Sequence, residues 1–392
     1  MKDFIEKIQD SSASEVFWIL IGIVIGKLLD FFIVFLKGKV KKYRFNKELV
    51  GKSLLSVGDV QIVSLDHADP TYELHDILVE QTDKKLFIDC PSEYKERIQL
   101  LDPDFHFSAN TSFNRETTFE DLKAMTNIDL LPQLIVKHSK LVSESIIRKL
   151  EEKNTIFNGK KYGVYRVHRK RKTDHDENAS LRLDLFETDY FTHLVFRSIY
   201  KELQESNHPI SKLEKIEELY SYAPFTTSFG MNTFVILSTP NGEEIVFAKR
   251  SKFLKEGSTK SLWHVTMNEG LTLTDREGSD ISLIKCLHRG LREELGIREE
   301  HHRFINDERF MDLFIEMSNF ELGLTSYVKM ELEMDKINEL YSIAKDGELE
   351  TDGLITIPIK NNAIKEFLEN ENLTDAAKYT LKMYLARRKY IN

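Results

Sequence analysis

Arg289-Gly-Leu-Arg-Glu-Glu-Leu-Gly-Ile297 carries the densest chemistry in the chain. The adjacent carboxylates of Glu293 and Glu294 are of the kind that hold a hard divalent cation such as Mg²⁺ or Mn²⁺, which takes several carboxylate oxygens while water and phosphate complete its shell. Arg289 precedes Glu293 by four residues, the spacing of neighbours on one helix face, so an intrahelical ion pair is expected. Gly296 stands where a helix closes on a left-handed residue, which predicts a helix over residues 281–295. Glycine inside a helix, as at Gly290, costs about 1 kcal/mol relative to alanine and points to close packing against a neighbour.

These residues resemble the second half of a Nudix box, Arg-Glu-U-x-Glu-Glu-x-Gly-U, with U a bulky aliphatic residue. Arg289, Leu291, Glu293, Glu294, Gly296 and Ile297 fit the pattern, and Gly290 replaces its first glutamate. In the family the box is a helix whose carboxylates hold divalent metal on a nucleotide pyrophosphate. The resemblance implies a nucleotide site at Arg289, Glu293 and Glu294. If the chain is hydrolytic, it also implies Mg²⁺ or Mn²⁺ on Glu293, Glu294 and Glu277. Two departures weaken the hydrolytic reading. Gly290 removes one of two carboxylates expected four apart, and the residue eight before Arg289 is Ile281. Gly270 and Glu277 supply the first half of the box only with a few residues inserted. Hydrolysis is therefore expected to be weak or absent, and nucleotide sensing is favoured. No residue is singled out as catalytic.

The elements that must position this helix follow the same pattern. Residues 233–237 and 245–249 are apolar strands joined by the turn Pro240-Asn-Gly-Glu243, a hairpin signal. Strands are expected at 262–267, 309–316, 322–332 and 353–359, with helices at 336–344 and 374–390. Residues 231–392 are thus expected to form a Nudix-like α/β sandwich. Residues 48–229 read as an α+β region with a helix over 130–152 and strands at 161–168 and 180–186. Residues 224–230 form the expected boundary. Arg166, Arg169 and Arg250 are the further candidates for phosphate contact.

The chain has 392 residues, a hydrophobic fraction of 41%, a charged fraction of 30% and a net charge of −9. Such a balance argues against binding long nucleic acid. The two cysteines, Cys90 and Cys286, form no metal-binding or disulfide pattern. Residues 16–36 form the one apolar stretch long enough for a bilayer, about 32 Å as a helix, after an N-terminal tail over 1–15. The basic connector 37–47 follows it, which places the N-terminus outside and the C-terminal body in the cytosol. Within the stretch Gly22 and Gly26 form a GxxxG pair, and Lys27 and Asp30 bring charge to it, marks of membrane association. This architecture resembles the transmembrane-Nudix effectors of CBASS, bacterial antiphage systems. The resemblance implies a single-pass inner-membrane protein that senses a cyclic oligonucleotide, forms a homo-oligomer and disrupts the lipid bilayer. The alternative is a membrane-tethered Nudix hydrolase of a nucleoside diphosphate derivative.

Overall fold

The computed structural model describes residues 25–29, 32–33, 36, 40, 62–64, 76–154, 156–170, 180–251, 261–345 and 351–391. The expected membrane span falls largely outside them: of residues 16–36, only 25–29, 32–33 and 36 are described, all of them helical. Among the described residues no helix is long and apolar enough to cross a membrane. The expected fold class, a transmembrane helix ahead of the folded body, is thereby corrected to a mixed α/β protein. The single-pass inner-membrane placement falls with it. The physical reason lies in Lys27 and Asp30, taken from the sequence as marks of membrane association, because two charges make the stretch a costly one in lipid. A Cβ added to Gly26 would meet nothing within 4 Å, so its backbone is not closely approached. Gly22 and Asp30 lie outside the described residues.

The C-terminal part is built on β5 (Phe229–Thr239) and β6 (Gly242–Arg250), joined by the predicted tight hairpin. Phe234 and Ile236 of β5 join one core cluster and Val235 and Leu237 the other, and all four are fully buried. A strand buried on both faces in this way must be central and covered by helices. Its sheet also takes in β1 (Ile62–Ser64), β11 (Ile305–Glu316), β12 (Glu321–Met330) and β13 (Thr351–Pro358). The strand order is β1-β11-β12-β5-β6-β13, with β7 (Trp263–His264) on β6 and β8 (Met267–Gly270) on β5. Only β12 and β5 run parallel among these pairs. Helix α5 (Leu283–Leu295) packs with Val235 on one face, and α8 (Asp375–Ile391) packs with Phe234 on the other.

Ahead of this unit, β2 (Asp76–Lys85), β4 (Ser180–Asp189) and β3 (Lys160–Lys170) form a three-stranded sheet in that order. Helices α3 (Leu131–Glu151) and α4 (Tyr190–Glu205) pack beside it, with the shorter α1 (Ser92–Leu101) and α2 (Glu120–Thr126). The two stretches are joined through a shared interior. One continuous apolar cluster runs from Leu86 and Leu185 to Leu291 and Leu340. Backbone bonds stitch the same junction: Tyr162 N–H donates to Leu271 C=O at 3.3 Å, and Leu271 N–H to Phe229 C=O at 2.8 Å.

Candidate functional site

Helix α5 is fixed at both ends by its sequence. The Ser282 hydroxyl accepts from the Lys285 N–H at 3.2 Å, capping the start. At the other end Gly296 adopts φ +68°, and Ile297 N–H donates to Leu291 C=O at 3.0 Å, closing the last turn. Leu283, Cys286, Leu287, Gly290, Leu291, Glu294 and Leu295 form its buried face. Gly290 belongs to that face for a steric reason. A Cβ there would lie 2.4 Å from Met267 Sδ and 2.8 Å from Glu269 Cβ, so β8 rests directly on the helix backbone.

That close seating brings Arg289 against the loop following β8. Its guanidinium meets Asp275 with two parallel bonds, Nε to Oδ1 at 2.8 Å and Nη2 to Oδ2 at 2.9 Å. Nη2 also donates to Gly270 C=O at 2.7 Å, and Nη1 pairs with Glu269 Oε1 at 2.9 Å. The intrahelical partner Glu293 is reached at 3.4 Å, and Arg292 holds the same carboxylate at 3.1 Å. Burial opposes the charge of Arg289, yet its bonds to Asp275 and the field of Glu269 hold it above its ordinary value. Burial raises the Glu269 carboxyl, against the pull of Arg289. Glu294 turns the other way: it is buried, and its carboxylate accepts from the Asn268 N–H at 3.1 Å.

The donor set does not fit a Mg²⁺ or Mn²⁺ cluster. Glu269, Asp275 and Glu293 surround a guanidinium that fills the space between them, Gly290 offers no ligand, and Glu294 serves a backbone donor. Among the described residues no group of three or more histidine, cysteine, aspartate or glutamate side chains is placed to hold a metal ion.

The structure therefore brings Arg289 and Glu293 together and leaves the other expected site residues apart. Glu277 is exposed on the short hairpin β9 (Arg276–Glu277) and β10 (Asp280–Ile281), where it lines a cavity of about 790 Å³. The guanidinium of Arg166 stacks 4.1 Å over the Tyr220 ring. Arg250 ends β6, its N–H donating to Leu262 C=O. Arg169 pairs with Leu181 in the β3–β4 register, and its side chain lies outside the described residues. Among the described residues, no hydrogen bond or ion pair joins Glu277, Arg166 or Arg250 to the Arg289 cluster. Sequence reasoning passed over Glu269 and Asp275. Asp275 is held in a local turn, its carboxylate accepting from the Thr272 N–H at 2.8 Å, a bond that no spacing in the sequence announces.

A second polar group lies at the junction of the two stretches. Lys161 Nζ donates to Ser228 Oγ at 2.8 Å, and Arg197 Nη1 pairs with Glu321 Oε1 at 3.3 Å. His193 Nε2 lies 3.6 Å from the same carboxylate oxygen, while its Nδ1 meets Thr227 Oγ1 at 3.1 Å. Nothing in the sequence flagged Lys161, His193, Arg197 and Glu321, because they come from three separate elements, β3, α4 and β12.

The C-terminal unit is a sheet packed between α5 and α8, with Arg289, Glu293 and Glu294 on α5. Solved structures similar to the chain include the Nudix domain of Shewanella oneidensis NrtR complexed with ADP ribose, 11% identical with a TM-score of 0.28, covering 42% of this chain and 88% of that one. A MutT/Nudix family protein from Listeria innocua is 17% identical with a TM-score of 0.27, covering 42% and 96%. The M. smegmatis Nudix hydrolase RenU is 8% identical with a TM-score of 0.27, covering 41% and 85%. No protein-family model and no curated protein matches the chain.

Proposed function

We propose that the chain is a binding protein for a phosphate-bearing nucleotide derivative, in which the Nudix-like unit recognises the ligand without turning it over by metal-assisted hydrolysis. The observation that carries this reading is the engagement of Arg289 by Glu269, Asp275 and Glu293, which commits the carboxylates around the box to holding α5 against β8. Pyrophosphate hydrolysis by a divalent cation needs carboxylates that converge on the ion and leave positions for water and phosphate. Here they converge on a guanidinium.

The antiphage effector reading survives only as to its signal. Bilayer disruption needs a membrane-spanning helix, of which there is none among the described residues, and it forms no part of the proposal. A cyclic oligonucleotide remains one ligand within the proposed class, since it offers several phosphates to charge-assisted donors. The test is a panel of nucleoside diphosphate derivatives and cyclic oligonucleotides, each incubated with the full chain and Mg²⁺ or Mn²⁺. Saturable binding with unchanged ligand is the expected result. Multiple turnovers lost in Glu294→Gln would show instead a working metal site and establish the hydrolase.

A further inference from the structure

The group at the junction of β3, α4 and β12 has the make-up of an anion seat. Lys161 and Arg197 bring two cations to this junction, where the neighbouring hydroxyls of Ser228 and Thr227 link Lys161 to His193, which faces Glu321, the partner of Arg197. Solvent reaches it: the Glu321 side chain keeps 35% of its exposure and that of Arg197 24%, whereas His193 below them keeps 8%. Arg197 is aimed by two anchors, Glu321 Oε1 and, at 3.0 Å from Nη2, Asn319 Oδ1. Its Nε is shielded and has no hydrogen-bond partner among the described residues, so the guanidinium keeps unused donor capacity.

The recess is also close to the box. Lys161 pairs with Thr272 in an isolated bridge, within the loop that leads from β8 to Asp275. Glu269, a partner of Arg289, acts on the charge of Lys161 through space. A ligand lying along β8 would thus meet both the box helix and the recess.

We propose that Lys161 and Arg197 form the seat for a phosphate group of the ligand, and that Glu321 occupies this seat as an internal competitor until phosphate displaces it. The inference rests on the nucleotide-binding reading above and names the part of the ligand that the recess takes. Glu321 fits the competitor's part because it is an acceptor-only group between cations. Burial opposes its charge, yet the contact with His193 and the fields of Arg197 and Lys161 hold it down to about 2. His193 stays neutral near pH 7, since burial and the charge of Lys161 lower it to about 4.

The recess carries a pH signature. Burial and Arg197 lower the Lys161 ammonium to about 8, against the pull of Glu321 and Glu269. Lys161 is therefore charged below pH 8 and loses its charge as pH rises through that value. Phosphate affinity should fall over the same interval.

Calorimetric titration of the full chain with inorganic pyrophosphate, ADP and adenosine, in the presence of a chelator, tests the seat. Lys161→Met should weaken pyrophosphate and ADP about tenfold, the loss of one charge-assisted hydrogen bond, and leave adenosine unaffected. Glu321→Gln should tighten both phosphate-bearing probes, whereas a merely structural ion pair would give weaker binding or none. Lys161→Arg should retain affinity above pH 8, where the unsubstituted protein loses it. Should ADP bind with the same affinity to Lys161→Met and Glu321→Gln as to the unsubstituted protein, the seat is wrong and the nucleotide reading stands. Pyrophosphate binding that depends on Lys161, with no nucleotide bound more tightly than pyrophosphate, would keep the seat and remove the nucleotide reading. If the unsubstituted protein binds none of the probes, the seat is overturned, and the cyclic oligonucleotides of the panel decide the nucleotide reading.

Discussion

At the scale of single residues, Gly290 decides what the box can do. Restoring the family's glutamate there is the obvious repair, but the geometry forbids it. The new Cβ would stand 2.4 Å from Met267 Sδ, and β8 would have to move away from α5. Gly290→Glu is therefore expected to lose about 1–3 kcal/mol of stability, the range for overpacking a filled interior, and to gain no Mg²⁺-dependent turnover. Chemical denaturation followed by a pyrophosphatase assay checks both halves, and a stable, active variant would refute the packing argument. The sequence identified Arg289 and Glu293 because both lie on one helix, where spacing fixes which side chains meet. It passed over Glu269, and it chose Glu277 where Asp275 makes the bond, because a loop of irregular geometry carries no period from which to count.

Among the elements, α5 shows why the C-terminal unit was readable. Its closing glycine at Gly296 is a local signal, and the predicted helix over residues 281–295 differs from Leu283–Leu295 only at its first turn, where Ser282 is the cap. Strands β3 and β4 were legible for a similar reason: Leu181, Leu183 and Leu185 alternate with Arg182 and Asp184 along a half-buried sheet. Between α4 and β5 the chain forms 3₁₀ turns at Pro209–Lys212 and Ile216–Phe225, where Pro224 interrupts any regular helix. Gly296 also ties two elements together. Besides its positive φ, a Cβ there would meet Leu340 C=O of α6 (Met334–Tyr341) at 2.1 Å. Gly296→Ala should cost about 2 kcal/mol or more, and Ser282→Ala about 1 kcal/mol. Thermal unfolding of the two variants checks this ranking, and a smaller loss at Gly296 than at Ser282 would contradict it.

For the whole molecule, the shared interior matters more than the boundary expected at residues 224–230. Strand β1 comes from the first stretch and pairs with β11 of the second, and a single apolar cluster spans both. Sequence cannot show such sharing, because apolar residues 150 positions apart carry no mutual signal. The described parts should consequently unfold together, in one transition seen alike by circular dichroism and tryptophan fluorescence. Two separated transitions would mean that the stretches are independent. The phosphate seat lies across this same junction, so ligand should raise the single midpoint by binding only the folded form. Recognition without hydrolysis is checked by one experiment on one sample. A bound nucleotide derivative from the panel is titrated into the full chain with Mg²⁺ and again with chelator, and the recovered ligand is analysed for cleavage. Saturable binding of similar strength in both conditions, with ligand recovered intact, is the expected result. Binding that requires Mg²⁺, with cleaved ligand recovered in excess of the protein, would contradict it.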